Sequence, residues 1–231
     1  MSSRRYELIV FDWDGTLFDS TQLIVRCIQA AARDMQAAVP SDQACAYVIG
    51  LGLMQALAQV APDVPPEKLP QFRERYQYHY RIHHNDIGLF DGVLPMLHAL
   101  KTRQYQLAVA TGKSRVGLNE VLARDELQGM FGSSRTADET RSKPDPLMLW
   151  ELMDERGVQP EQTLMIGDTT YDLHMAQGAG CASVAVSYGA HEWATFDEFG
   201  PLFVAHSVAQ LHEGTSINTQ PPRQPDRGPN R

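Results

Sequence analysis

Cysteine and basic charge are both scarce in this chain, and each shortage excludes something. There are only three cysteines in 231 residues, at Cys27, Cys45 and Cys181. An odd number, so widely spaced, supplies no disulfide framework. Their apolar surroundings point to buried free thiols in a reducing compartment rather than to a catalytic thiol. Lys and Arg number 20 against 28 Asp and Glu, a formal net charge of −8. Nucleic acid is therefore not the expected partner, because a phosphate backbone is bound by clustered cations.

Long apolar runs are missing as well. None approaches the about 20 residues that span a membrane, so no membrane partner is expected. Arg4 and Arg5 precede an apolar stretch, but it ends at Asp12, too soon for the apolar segment of a secretory leader. These features predict a soluble, cytoplasmic protein, as a monomer or homodimer. The segment from Thr215 to Arg231 has four prolines and only Ile217 as a sizeable apolar group. It reads as a disordered tail.

What the chain does have is enough apolar material for a sizeable core, 43% of its residues, and a change of pattern along its length. Leu8 to Phe11 is a short apolar run that reads as a buried strand. Helical spacing follows. Leu23, Ile24, Cys27, Ile28, Ala31 and Met35 share one face, then Leu53, Leu57 and Val60, then Phe72, Tyr76, Tyr80 and His83. No convincing strand lies between Thr21 and about Asn85. Beyond that point strand and helix alternate. Leu107 to Ala110, Thr163 to Ile166 and Ala182 to Val186 read as strands, with helices over Ser114 to Leu122 and Thr170 to Ala179. Alternation of this kind predicts an α/β fold, a parallel sheet with helices on both faces. The all-helical stretch is then an insertion. The expected division is a core of residues 1–18 and 89–213, a helical domain of 19–88, and a tail of 214–231.

Open α/β sheets bind ligands at the C-terminal ends of their strands, and four pieces of sequence gather chemistry there. The first is Asp12-Trp13-Asp14-Gly15-Thr16, directly after the first strand. Its two carboxylates are expected to converge, since residues two apart on a strand share a side. Gly15 permits a sharp turn and Thr16 offers a hydroxyl. The second is Ala110-Thr111-Gly112-Lys113-Ser114, at a strand-to-helix junction where a hydroxyl and free backbone N–H groups can hold an oxyanion. The third is Ser142-Lys143-Pro144-Asp145-Pro146, with Lys143 as a fixed cation and Asp145 and Pro146 suited to the N-cap and first position of a helix. The fourth is Gly167-Asp168-Thr169-Thr170-Tyr171-Asp172, with two carboxylates on one helix face. Any one of these has a bland reading as a turn, a helix start or a solvated side chain. All four in this order do not.

From Tyr6 to about His212 the chain resembles the haloacid dehalogenase superfamily of phosphohydrolases, and within it the phosphoglycolate phosphatase-like members. The resemblance implies a Rossmann-like core with an inserted helical cap domain. It implies that Asp12 is the nucleophile, forming an aspartyl-phosphate, and that Asp14 is general acid and then base. Mg²⁺ would be held by the Asp12 carboxylate, the Asp14 backbone carbonyl and Asp168, with Asp172 supporting. Thr111, beside Gly112, would bind the phosphoryl oxygens, and Lys143 would offset the charge of nucleophile and phosphate. The implied substrate is a small phosphorylated metabolite, a phosphate ester rather than a halide or phosphonate, since members acting on those lack the second Asp.

Two rivals share the motifs. A sugar-phosphate mutase resembling β-phosphoglucomutase differs through its cap, and a non-catalytic binding or regulatory protein could keep the same fold. Within the helical insertion, the loop Ile49-Gly50-Leu51-Gly52-Leu53 lies where family members present a substrate-specificity loop, which makes Gly50 a candidate substrate-binding position. Tyr76, Tyr78, Tyr80, His79, His83 and His84 are read as aromatic packing within the insertion, with histidines on its exposed face, although His79 and His83 have the spacing of a metal pair.

Overall fold

The computed structural model describes residues 5–84 and 87–218. Strand β1 (Leu8–Phe11) is followed by four helices, α1 (Thr21–Asp34), α2 (Asp42–Tyr47), α3 (Leu53–Val60) and α4 (Leu69–His83). Then come α5 (Val93–Thr102), β2 (Gln106–Thr111), α6 (Arg115–Leu122), β3 (Ser133–Thr136), α7 (Leu147–Arg156), β4 (Thr163–Gly167), α8 (Thr170–Ala179), β5 (Ala182–Val186), β6 (Val204–Ala205) and α9 (Val208–Asn218).

The strands form one sheet in the order β3-β2-β1-β4-β5-β6. Every pairing in it is parallel, with Phe11 level with Val109 on one side and Ile166 on the other. The expected α/β core is what the chain builds. Alternation along each strand decides which helices cover which face. Ile9, Phe11, Leu107, Val109, Leu164 and Ile166 pack on one side with residues of α5, α6 and α9. Leu8, Val10, Ala108, Ala110 and Met165 pack on the other with α7 and α8. Because β1 is central, its end is the deepest part of the sheet's C-terminal edge.

Helices α1 to α4 hold no strand and have an apolar cluster of their own, built around Ile28, Cys45, Leu57 and Phe72. The chain leaves for this helical region and returns through one narrow crossing. Phe18 bridges Leu89 in antiparallel fashion, and the Phe90 N–H donates to the Leu17 carbonyl at 3.0 Å. Among the described residues no helix is long and apolar enough to cross a membrane.

Three expectations are corrected. Helix α9 runs to Asn218, with Thr215 buried, so residues 214–218 of the supposed disordered tail are helical; residues 219–231 lie outside the described residues. Pro146, not Asp145, is the N-cap of α7, and the Asp145 carboxylate accepts from the Leu147 N–H at 3.0 Å. Asp12 and Asp14 both follow the last residue of β1, so a turn positions them, not strand alternation.

Candidate active site

That turn is anchored from below. Trp13 is fully buried, stacked on Phe18 with ring centroids 5.8 Å apart. Its carbonyl accepts the N–H groups of Leu17 and Phe18, both at 3.0 Å. With the indole driven into the core, the two flanking carboxylates are left on the cavity side of the loop. Gly15 sits at φ +82°, and a Cβ there would run into the Asp168 carboxylate. No side chain fits this position.

The deepest part of the site is a group of charges with almost no exposure. Lys143 Nζ lies 2.7 Å from Asp12 Oδ1 and 2.6 Å from Asp172 Oδ1, and all three side chains are essentially inaccessible to water. Asp172 Oδ2 accepts from the Thr169 hydroxyl at 2.7 Å and its N–H at 3.1 Å. Asp168 Oδ1 accepts from the Thr16 hydroxyl and Oδ2 from the Ala190 N–H, both at 2.7 Å. Burial pushes the Asp12 carboxyl well above its ordinary value, against the pull of Lys143. Burial and the neighbouring Asp172 charge raise Asp168 to about 7. Burial works against the Lys143 charge too, but the facing carboxylates outweigh it and hold its pKa above that of an ordinary lysine.

One atom in this group is left over. Asp12 Oδ2 is buried and has no hydrogen-bond partner, an expensive state for a carboxylate oxygen unless something else meets it. Ligand oxygens of Asp12, Asp168 and Asp172 lie within 4.8 Å of one another. An all-oxygen, carboxylate-rich donor set suits a hard divalent cation, and such a cation would relieve the crowding of negative charge among the three side chains. The residues present therefore fit a divalent metal.

Asp14 faces elsewhere. Its Oδ1 accepts from the Ser20 hydroxyl at 2.6 Å and lies 3.1 Å from Lys113 Nζ. Lys113 in turn reaches the Tyr80 hydroxyl at 3.2 Å and stands 5.0 Å over the Tyr80 ring. Burial opposes the Lys113 charge, but Asp14 and Tyr80 together more than compensate. Thr111, buried at the end of β2, accepts the Lys113 N–H at 3.2 Å.

Above these groups lies a cavity of about 440 Å³ that reaches Asp12, Asp14, Thr111, Gly112, Lys113 and Gly50. The sequence therefore placed Asp12, Asp14, Thr111, Gly112 and Gly50 on one wall-and-floor arrangement. Lys143, Asp168 and Asp172 form the layer immediately beneath. Gly112 carries no Cβ because one would lie 2.5 Å from the Leu51 carbonyl oxygen and 2.7 Å from that of Gly50. The helical region thus touches the sheet's edge through backbone. Ser142 Oγ accepts the Gly52 N–H at 2.7 Å. The Tyr47 carbonyl accepts from the Tyr171 hydroxyl and meets His191 Nε2, both at 3.0 Å.

Sequence reasoning missed Lys113 as an ion-pair partner and Ser20 as a donor to Asp14. Both signals were present only as a helix start and a polar turn. Tyr76 and Tyr80 pack against the helical region's apolar cluster, as read from the sequence, but with His84 they also line the cavity, which the sequence did not show. His79 Nε2 meets Asp34 Oδ2 at 2.7 Å. The one metal-compatible group found among the described residues is the Asp12 cluster.

Comparison with known proteins agrees with this geometry. Residues 9–186 match the family model of haloacid dehalogenase-like hydrolases. A phosphoglycolate phosphatase of Aliivibrio fischeri is 33% identical over 214 residues, covering 89% of this chain and 94% of that protein. A Dickeya dadantii protein named "Probable phosphatase IndB" is 36% identical over 189 residues, covering 80% and 82%. The crystal structure of a predicted phosphoglycolate phosphatase from Haemophilus somnus superposes with a TM-score of 0.81 at 26% identity, covering 91% of this chain and 98% of that one. The chain belongs to the haloacid dehalogenase-like hydrolase family, as one of its phosphatases.

Proposed function

We propose that the protein is a Mg²⁺-dependent phosphatase that hydrolyses a small phosphorylated metabolite through a phosphoryl group carried on Asp12. The observation that bears most weight is the unpartnered Asp12 Oδ2, buried beside Lys143 at the floor of the cavity. An oxygen free of hydrogen bonds keeps its lone pairs for attack on phosphorus, and Lys143 fixes the carboxylate's other oxygen in place. Asp12, Asp168 and the Asp14 backbone carbonyl are the proposed metal ligands, with Asp172 holding Lys143 and supporting the cluster. Bound there, Mg²⁺ supplies positive charge that offsets repulsion between carboxylate and phosphate.

The other residues supply position and protons. Thr111 and the N–H groups after it bind phosphoryl oxygens at the end of β2. Asp14 gives a proton to the leaving alkoxide and later takes one from water, steered by Ser20 and Lys113. Lys143 keeps the floor neutral enough for a phosphate to approach. Helices α1 to α4 act as the cap, closing over the cavity through Gly50, Gly112 and Ser142 to keep out bulk water. A cytoplasmic location agrees with the free thiols at Cys27, Cys45 and Cys181.

The test is phosphate release from a panel of phosphate monoesters, with Mg²⁺ and with chelator. 2-Phosphoglycolate is the first compound to include, because similar proteins carry that name. Metal-dependent release of inorganic phosphate is expected. An isomerised sugar phosphate without phosphate release would instead identify a mutase.

A further inference from the structure

The cavity is larger and more aromatic than a two-carbon acid requires. At about 440 Å³ it falls within the roughly 300–1,000 Å³ of pockets that enclose drug-sized ligands. One wall is an aromatic row on α4 and the residue after it. Tyr76, Tyr80 and His84 follow at four-residue intervals, which places them on one helix face. Successive ring planes differ by only 27° and 19°, with centroids 6.0 and 6.4 Å apart. Lys113 holds the middle ring by its hydroxyl edge, 3.2 Å away on the sheet side, and the row lends aromatic surface to the cavity. Across from it the lining is apolar as well: Ile24, Leu51 and, at the mouth, Val116, which is 68% exposed and has no place in the core.

A hydrophilic two-carbon ester would leave these surfaces in water. A flat ring would cover them, since aromatic pairs form edge-to-face as well as offset-stacked, whatever polar groups the ring carries. We infer that this wall is a ring-binding subsite, and that the phosphate ester cleaved here carries a planar aromatic group, as a nucleoside monophosphate does, on its alcohol portion. This rests on the phosphatase reading, since it takes the phosphoryl group to sit at Asp12, and it adds what lies at the other end of the substrate.

Binding separates the two claims from each other. The Asp12→Asn protein with Mg²⁺ is titrated by calorimetry with uridine 5′-monophosphate, adenosine 5′-monophosphate, pyridoxine 5′-phosphate, ribose 5-phosphate and 2-phosphoglycolate. At least one ring-bearing ester is expected to bind roughly tenfold or more tightly than ribose 5-phosphate, the size of one stacking contact. His84→Ala or Tyr76→Leu, each added to that protein, should remove most of the advantage and leave ribose 5-phosphate affinity unchanged. His84 lies at the end of α4, so its replacement keeps the test valid if Tyr76→Leu fails to fold. Equal or tighter binding of ribose 5-phosphate or 2-phosphoglycolate overturns the inference, as does a ring preference that survives both substitutions. Wild-type turnover is read separately. A bound ring ester that is never hydrolysed refutes the phosphatase reading and leaves the subsite standing. Hydrolysis of 2-phosphoglycolate without ring preference does the reverse.

Discussion

The floor and the wall of the cavity are built on opposite principles. The floor, at the ends of β1 and β4 and the starts of α7 and α8, is polar and sealed. Lys143, Asp168 and Asp172 have essentially no exposure, and each carboxylate oxygen of the last two has a named donor or cation. The wall, from α4 and the loop at Gly50, is aromatic and apolar and meets the floor at few points. Groups that must stabilise charge need a rigid, water-poor setting, where their interactions are strongest. Groups that select a substrate need only shape and surface. Under the proposed function, the difference divides chemistry, on the sheet, from selection, on the helices.

Breaking the floor should therefore cost the most. Lys143→Met leaves the Asp12 and Asp172 carboxylates buried without their cation, and loss of one partner from such a group costs about 3–5 kcal/mol. A large fall in melting temperature is expected together with loss of turnover. A stable, active variant would show the floor to be less tightly coupled than its distances imply.

Next comes the joint between the two regions. Lys113→Met removes the ammonium that touches both Asp14 and Tyr80. Turnover should drop roughly a hundredfold, in the range of a disturbed general acid, with a smaller fall in melting temperature than Lys143→Met gives, because Asp14 keeps its bond from Ser20. Steady-state kinetics and a thermal melt separate these outcomes, and an unchanged kcat would detach Lys113 from the chemistry.

Metal should sharpen the contrast without any substitution. If Asp12 and Asp168 bind Mg²⁺, a concentration about 100 times the Kd adds about 2.7 kcal/mol to stability, a rise on the order of 5–10 °C for a chain of this size. Asp168→Asn should abolish most of that rise. Equal shifts in the two proteins would place the ion elsewhere.

The smallest effect belongs to the wall's own attachment. Ser142→Ala deprives the Gly52 N–H of its acceptor and should cost about 1 kcal/mol. The expected sign in kinetics is a higher KM with a nearly unchanged kcat. A kcat that fell while KM held would move this contact into the chemistry.

The same contrast explains what could be read from the sequence. The central strands announce themselves, since Leu8 to Phe11 and Leu164 to Ile166 are continuous apolar runs buried on both faces. Strand β3, Ser133 to Thr136, is polar and mostly half-buried at the sheet's edge. Its identity comes from pairing with β2, which no local pattern records, and β6 has only two residues. The acidic motifs were legible because their spacing is local to each strand end. The pairing of Lys113 with Asp14 joins residues on different elements, and it emerges only when β1 and β2 lie side by side. Tyr80 was visible as part of an amphipathic face, but whether that face meets core or cavity depends on how α4 is set against the sheet.

The most direct test of the central claim is mass spectrometry of protein acid-quenched during turnover. One phosphoryl group is expected on the peptide that contains Asp12, present in the wild type and absent, along with turnover, in Asp12→Asn. Undiminished phosphate release by Asp12→Asn would contradict it.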